Sequence, residues 1–326
     1  MISRFSIAPI KGLLDLDHLA SIGGELALRI SAESLSEAAR EVSSDQAEVV
    51  FAPISNANVG PFLERFRRTR YFAKHREKIV VYSLDPNRFP ALRGFYPGAS
   101  RLCFDEDWAR PVHYISTHLH RFYFSKEECR SKDILMSFVG SSRTHRLRED
   151  LLGELEGHPD AFCLDSGSRS QAYWWERADA RTLREKYRET MIRSRCVLCP
   201  RGISPASIRV FEAMEASAVP IIISDALELP VGPNWESFSL RVREKNLAAI
   251  PDIVASHEAQ LDEMGLEARR IWERYFAPER ALEYLLTQAP ALLSRDWRNR
   301  RLERISFTSR QHILARLKFA LKALRK

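Results

Sequence analysis

The densest chemical cluster in this 326-residue chain is Cys199-Pro-Arg-Gly-Ile-Ser-Pro-Ala-Ser-Ile-Arg-Val-Phe-Glu-Ala213. An apolar run ends at Cys199, and Pro200, Gly202 and Pro205 make a rigid loop before a helix opens near Ala206 or Ser207. Such a loop aims free backbone N–H groups outward at a strand's carboxyl end, beside the positive end of a helix dipole. Arg201 and Arg209 add forked donors that match phosphate oxygens. Glu212 lies one turn past Ile208, and a carboxylate there can accept hydrogen bonds from the vicinal hydroxyls of a ribose. The residue types therefore suit a nucleoside diphosphate. Taken alone they also fit a plainer reading, with Ser207 as a helix N-cap and Arg209 with Glu212 as an i,i+3 surface pair.

The elements around the cluster are those of an α/β unit. Asp133 to Gly140, Ala161 to Leu164, Cys196 to Cys199 and Val219 to Ile223 are continuous apolar runs, the pattern of strands buried on both faces. Between them, Arg146 to Leu155, Arg181 to Ile192 and Ser207 to Ala218 carry helical spacing, which implies parallel strands joined by right-handed crossovers. The first 125 residues are less regular but similar in kind. Strands are expected at Glu48 to Ala52 and Lys78 to Tyr82, with further short ones at Leu102 to Phe104 and Val112 to Ile115. A helix is expected over Asn58 to Lys74. The apolar-poor stretch Ser125 to Lys132 reads as a linker. The chain thus divides into an N-terminal α/β domain (1–128), a second α/β domain (129–290) and a basic C-terminal helical extension (291–326). Ligands of such sheets sit at the carboxyl ends of the strands.

Several segments, in order, resemble the donor domain of the exostosin family of glycosyltransferases, in a short form of bacterial type. They are Phe138-Val-Gly140 with Arg146-Leu-Arg148, Tyr187 to Gly202, Ser207 to Asp225, Leu229-Pro230, and Trp235 to Val242. The resemblance covers roughly residues 133 to 255. It implies the GT-B fold, two Rossmann-like doubly wound domains facing across a cleft, and a nucleotide-sugar donor, UDP-linked by expectation. By that resemblance Gly140 belongs to the first strand–loop–helix of the donor site, Arg148 with Arg201 or Arg209 holds the diphosphate, Gly202 and Ser207 line the loop, and Glu212 holds the ribose. The chain departs from the family where a small Ala-Gly-Cys turn is common; here the residues are Ala216-Ser217-Ala218. The resemblance further implies an inverting transfer without metal or cofactor, to a glycan or lipid-linked glycan acceptor bound by the first domain, in polysaccharide biosynthesis. Fucosyltransferases of a neighbouring family share a basic loop followed by a Glu-bearing helix and a Val-Pro strand, so a GDP-sugar enzyme is the alternative, and a binding protein that has lost its catalytic base is a third.

Inversion needs a base for the acceptor hydroxyl. Asp85 follows a strand at its carboxyl end and is the candidate, although Asp85-Pro-Asn also fits a turn; His113, His118 and His120 are rivals. Asp15-Leu-Asp17 and Asp105-Glu-Asp107 have the spacing of a metal-holding Asp-x-Asp, but the donor features lie elsewhere and both read as solvated loops. Cys196 and Cys199 have ligand spacing without a second pair and read as core thiols. Tyr173-Trp-Trp-Glu176 fits packing better than sugar stacking.

Composition bounds the rest. The chain is 45% apolar and 29% charged, with a net charge of +7 and five cysteines. That is a globular composition, with no apolar run of membrane-spanning length. The N-terminus lacks a long apolar core of a secretory signal, so a cytoplasmic protein with reduced thiols is expected. The positive excess gathers after Glu303, where Ile313, Leu317, Leu321 and Leu324 share a stripe. The basic stretch 304–326 fits either peripheral contact with an anionic inner-membrane face or docking on the protein; no nucleic-acid partner is expected.

Overall fold

In the computed structural model, residues 2–8, 39–54, 68–83, 92–101, 108–114, 124–167 and 180–294 are described, with a few isolated positions between 28 and 66. They form two compact units, each built on a wholly parallel sheet. The α/β class with two doubly wound sheets is therefore that predicted from the buried apolar runs.

The first unit contains Met1–Arg121 together with Ala226–Val231 and Ala277–Lys326. Its six-stranded sheet has the order β2-β1-β3-β4-β5-β6, from β1 (Arg4–Ile7), β2 (Arg40–Glu41), β3 (Val49–Ile54), β4 (Ile79–Ser83), β5 (Gly94–Tyr96) and β6 (Ala109–Pro111). The expected strand at Val112 to Ile115 lies too late. The ladder from β5 ends at Tyr96 opposite Pro111, and Val112 is apolar because it is buried beyond the ladder. A short helix α1 (Arg70–His75) is capped by Thr69, whose hydroxyl accepts from the Phe72 N–H at 3.0 Å. The core gathers Val50, Ala52, Phe66, Phe72, Val81 and Leu92.

Arg93, only 1% exposed, staples this unit together. Its Nε donates to the Ile79 carbonyl at 3.1 Å, and Nη2 donates to the carbonyls of Arg76 at 3.3 Å and of Glu77. Nη1 reaches Leu292 at 3.3 Å, in the helix Ala281–Leu293. That helix packs on β4, β5 and β6, so the first unit is built from both ends of the chain, an arrangement that a division at residue 290 does not capture. Gly94 is required because a Cβ there would lie 2.2 Å from the Val81 carbonyl.

The second unit contains Phe122–Asp225 and Gly232–Phe276. Its strands are β7 (Ile134–Gly140), β8 (Ala161–Asp165), β9 (Ser194–Pro200), β10 (Val219–Ile223) and β11 (Leu240–Val242), in the order β11-β10-β9-β7-β8. Between and after them come α2 (Arg146–Glu154), α3 (Ala180–Arg193), α4 (Arg209–Glu215), α5 (Ile250–His257) and α6 (Leu261–Tyr275); the helix Ala281–Leu293 of the first unit is α7. One core gathers Met136, Phe138, Leu151, Leu198, Ile221 and Val254. The expected linker Ser125 to Lys132 belongs to this unit. Its Cys129 is buried, and its Glu128 pairs with Arg188 of α3 at 2.5 Å. Polar composition there reflects ion pairs rather than a boundary.

Helix α4 starts two residues later than expected and spans seven residues. Its end is held by cations: Lys132 Nζ donates to the Ala216 carbonyl at 2.6 Å, and Arg269 of α6 donates to the Glu215 carbonyl. The turn that follows places Ser217 at φ 55°. Gly265 lets α6 pass close, since a Cβ there would meet the Ser217 carbonyl at 2.4 Å.

Candidate donor site

The order of the second sheet sets where a ligand belongs. From β7 the chain steps outward to β8, then crosses back to β9 on the other side of β7, and continues outward to β10 and β11. The direction of winding reverses between β7 and β9, and in sheets of this kind the carboxyl ends of the strands at that point are where ligands bind. The residues singled out in sequence converge at that switch point.

Gly140 ends β7, and its lack of a side chain makes room for a guanidinium, because a Cβ would lie 2.2 Å from Nη2 of Arg209. Arg209 is 9% exposed. Its Nε donates to the Val139 carbonyl at 2.9 Å, and its guanidinium sits over the rings of Phe138 at 5.2 Å and Tyr187 at 5.7 Å. It is thus a buried cation held by two aromatic faces rather than half of an exposed i,i+3 pair. Arg148 is buried too. It donates to the carbonyls of Arg201 at 3.0 Å, Ser141 at 3.3 Å and Pro200 at 3.3 Å. These contacts brace the loop after β7 against the loop after β9. A Cβ on Gly202 would come 3.1 Å from Arg148 Nη2, so this glycine allows the brace to close.

Arg201 is placed differently. Its Nη1 is 3.5 Å from Oε1 of Glu244, while its Nε is buried with no hydrogen-bond partner among the described residues. The hydroxyls of Ser141, Ser207 and Ser224 share that condition. Ser207 is therefore not the helix N-cap: α4 is capped at Ile208 without a side-chain hydrogen bond. Burying a polar atom without a partner costs about 1–3 kcal/mol, and these four lie in the segments that follow β7, β9 and β10. Glu212 sits one turn along α4 from Arg209, and its Oε2 accepts from the Tyr187 hydroxyl at 2.5 Å.

Further residues shape the rim without a local sequence signal. Asp165, at the end of β8, accepts at Oδ1 from the Ser142 and Gly167 N–H groups, each at 3.0 Å, and at Oδ2 from the Ser142 hydroxyl at 2.6 Å. Burial raises its pKa, but those hydrogen bonds and nearby Arg143 outweigh it and hold the carboxyl below its usual range. Glu244 and Asp225 exchange contacts: Glu244 Oε1 accepts from the Asp225 N–H at 3.0 Å, and the Glu244 N–H donates to Asp225 Oδ1 at 3.2 Å. Cys196 and Cys199 lie in β9, 0% and 1% exposed. Burial pushes the Cys196 thiol up to about 12 and Cys199 higher still, which suits core thiols and not metal-ligating thiolates.

In the first unit, His113 is buried and its carbonyl accepts from the Tyr82 hydroxyl at 2.5 Å. Asp85, His118, His120, both Asp-x-Asp triplets, Leu102 to Phe104, Tyr173 to Glu176 and the stretch 304–326 lie outside the described residues.

Residues 113–257 match the model of the exostosin GT47 domain. Exostosin-1b of Danio rerio is 31% identical over a segment covering 32% of this chain and 15% of that protein. Exostosin-1 of Drosophila melanogaster is 32% identical over 45% of this chain and 21% of that protein. The chain thus spans only a small part of the length of these relatives. Among solved structures, an α1,3-fucosyltransferase is 13% identical with a TM-score of 0.44, covering 90% of both chains. A glycosyltransferase from Rickettsia africae ESF-5 is 11% identical with a TM-score of 0.42, covering 90% of this chain and 99% of that one. The matched segment contains β7 to β11 and every residue of the switch-point cluster, so this part of the chain is similar to the exostosin GT47 domain.

Proposed function

We propose that the protein transfers a sugar from a nucleotide-sugar donor, UDP-linked, to a glycan or lipid-linked glycan acceptor, and that the donor binds at the β7/β9 switch point. The observation that carries this reading is the group of buried donors at that point: Arg201 Nε and the hydroxyls of Ser141, Ser207 and Ser224. Donors buried without partners among the described residues suit an oxygen-rich ligand, and a diphosphate is such a ligand. In this reading Arg201 and the loop N–H groups take the phosphate oxygens. Arg209 adds fixed positive charge from below the loop, and Glu212 takes the ribose hydroxyls.

The leaving diphosphate needs its developing negative charge stabilised, and preorganised cations and donors do that without a metal. Arg148 acts at one remove, by fixing the two loops. The acceptor binds the first unit, with Asp85 as the base that takes the acceptor's proton during an inverting displacement. The basic stretch 304–326 brings the enzyme to the cytoplasmic membrane face, where a lipid-linked acceptor would be presented. Removing 304–326 should then abolish flotation with anionic vesicles.

The discriminating experiment is a thermal-shift panel of UDP, GDP, ADP and CMP. A ligand that binds only the folded state at 100 times its Kd adds about 2.7 kcal/mol of stability, so the true nucleotide should stand out. UDP giving the largest shift is the expected result. A larger shift with GDP would move the enzyme to the fucosyltransferase-like alternative, and no shift with any of the four would overturn the transferase reading.

A further inference from the structure

Glu212 and Arg209 lie one turn apart on a helix of only two turns, and their aim depends on a side chain from another element. Tyr187 lies in α3 (Ala180–Arg193), outside both switch-point loops, and is 5% exposed. Its hydroxyl donates to Glu212 Oε2 at 2.5 Å, and its ring lies 5.7 Å from the Arg209 guanidinium carbon, which Phe138 faces at 5.2 Å. One tyrosine therefore touches both residues that the donor reading assigns to the nucleotide.

We propose that Tyr187 is a positioning residue for ribose recognition: its hydroxyl sets the orientation of the Glu212 carboxylate, and its ring holds the Arg209 guanidinium, so that the choice of a ribonucleotide over a deoxyribonucleotide is controlled from α3. The inference rests on the donor reading above. A carboxylate with one oxygen anchored by a phenol keeps a single torsion and presents its remaining lone pairs in one direction. Without the anchor, the carboxylate is less tightly ordered, and the contact weakens. The phenol is a dependable donor, because burial and then the neighbouring Glu212 charge hold its pKa well above the usual value. The two parts of the side chain have separable jobs. The hydroxyl acts on the ribose contact, and the ring acts on Arg209.

The test is calorimetric binding of UDP and 2′-deoxy-UDP to the full-length wild type and to Tyr187→Phe, Tyr187→Leu, Glu212→Gln and the double variant Tyr187→Phe/Glu212→Gln. If the panel selects guanine, GDP and 2′-deoxy-GDP take their place. Wild type should prefer the ribonucleotide about tenfold or more, the scale of a hydrogen bond to a charged group. Tyr187→Phe should shrink that preference at least threefold, weakening 2′-deoxy-UDP, which keeps its 3′ hydroxyl, by a smaller factor than UDP, and should have no further effect on the preference once Glu212→Gln is present. Tyr187→Leu should weaken 2′-deoxy-UDP further, because Arg209 loses its ring. A purely packing role would make Tyr187→Phe weaken both nucleotides by one factor, with the preference intact, and that result overturns the proposal while the donor reading stands. A wild type that binds neither nucleotide pair overturns the donor reading and this inference with it.

Discussion

At the scale of single residues, the arginines of the site separate by their surroundings. Arg148 and Arg209 are buried against carbonyls and rings, and Arg201 keeps a buried Nε without a partner among the described residues. The energetic consequence falls on Arg201 and Glu212, whose contacts with a ligand would replace solvent at a low-dielectric site. Glu212→Ala and Arg201→Gln should each weaken UDP binding by about 1–3 kcal/mol, the usual range for hydrogen bonds to charged groups. Affinities equal to wild type in calorimetry would remove both residues from the site. In the sequence, Ser207, Arg209 and Glu212 fit a capped surface helix equally well. What separates the readings is non-local: Gly140 is 69 positions from Arg209, yet its missing Cβ is what admits the guanidinium. Tyr187, Asp165 and Glu244 carried no signal of their own, because each acts through a partner on another element.

At the scale of elements, the continuous apolar strands of the second unit were legible nearly to the residue, since burial on both faces leaves little choice of composition. The first unit was less so. Its β6 is set by a ladder to β5 rather than by its own apolarity, and its α7 comes from the far end of the chain. The turn between α4 and β10 shows a more local effect. Ser217 takes φ 55°, a left-handed conformation in which a Cβ crowds the backbone, at the place where exostosin-like sequences commonly carry glycine. The neighbouring residues leave no alternative: Ala216 and Ala218 are fully buried, and Gly265 of α6 passes against the Ser217 carbonyl. Ser217→Gly should therefore stabilise the protein by about 1 kcal/mol, the scale of strain at a single left-handed non-glycine residue. Chemical denaturation is the appropriate measurement. An unchanged or lower midpoint would mean that the entropy glycine brings to the unfolded chain outweighs the relief of strain.

At the scale of the whole molecule, alkaline pH sets buried groups against one another. The thiols of Cys163 and Cys196, raised to about 11 and about 12 mainly by burial, keep their protons in the folded chain after the unfolded chain has lost them. The unfolded state then binds fewer protons, and stability falls as pH rises above the ordinary thiol range. Lys132 works in the opposite direction. Burial lowers its pKa to about 8 from an ordinary 10.5, against smaller contributions from Cys129 and Asp262 that raise it. Between those values the unfolded chain holds more protons at this position than the folded one, so this residue's contribution to stability rises with pH across that window. The gain should reach at most roughly 3–4 kcal/mol, because the fall from 10.5 to about 8 is worth about 1.36 kcal/mol per pH unit. Because the thiols mask it in the wild type alone, the measurement is the difference in unfolding free energy between wild type and Lys132→Met from pH 7 to pH 11. That difference should move in favour of the wild type as pH rises from about 8 to about 10.5 and stay level outside the window. A difference independent of pH would mean that the folded state solvates the ammonium as well as the unfolded chain does. The contact of Lys132 with the Ala216 carbonyl at the end of α4 would then be an ordinary surface interaction rather than a buried cation fixed under the helix that carries Arg209 and Glu212.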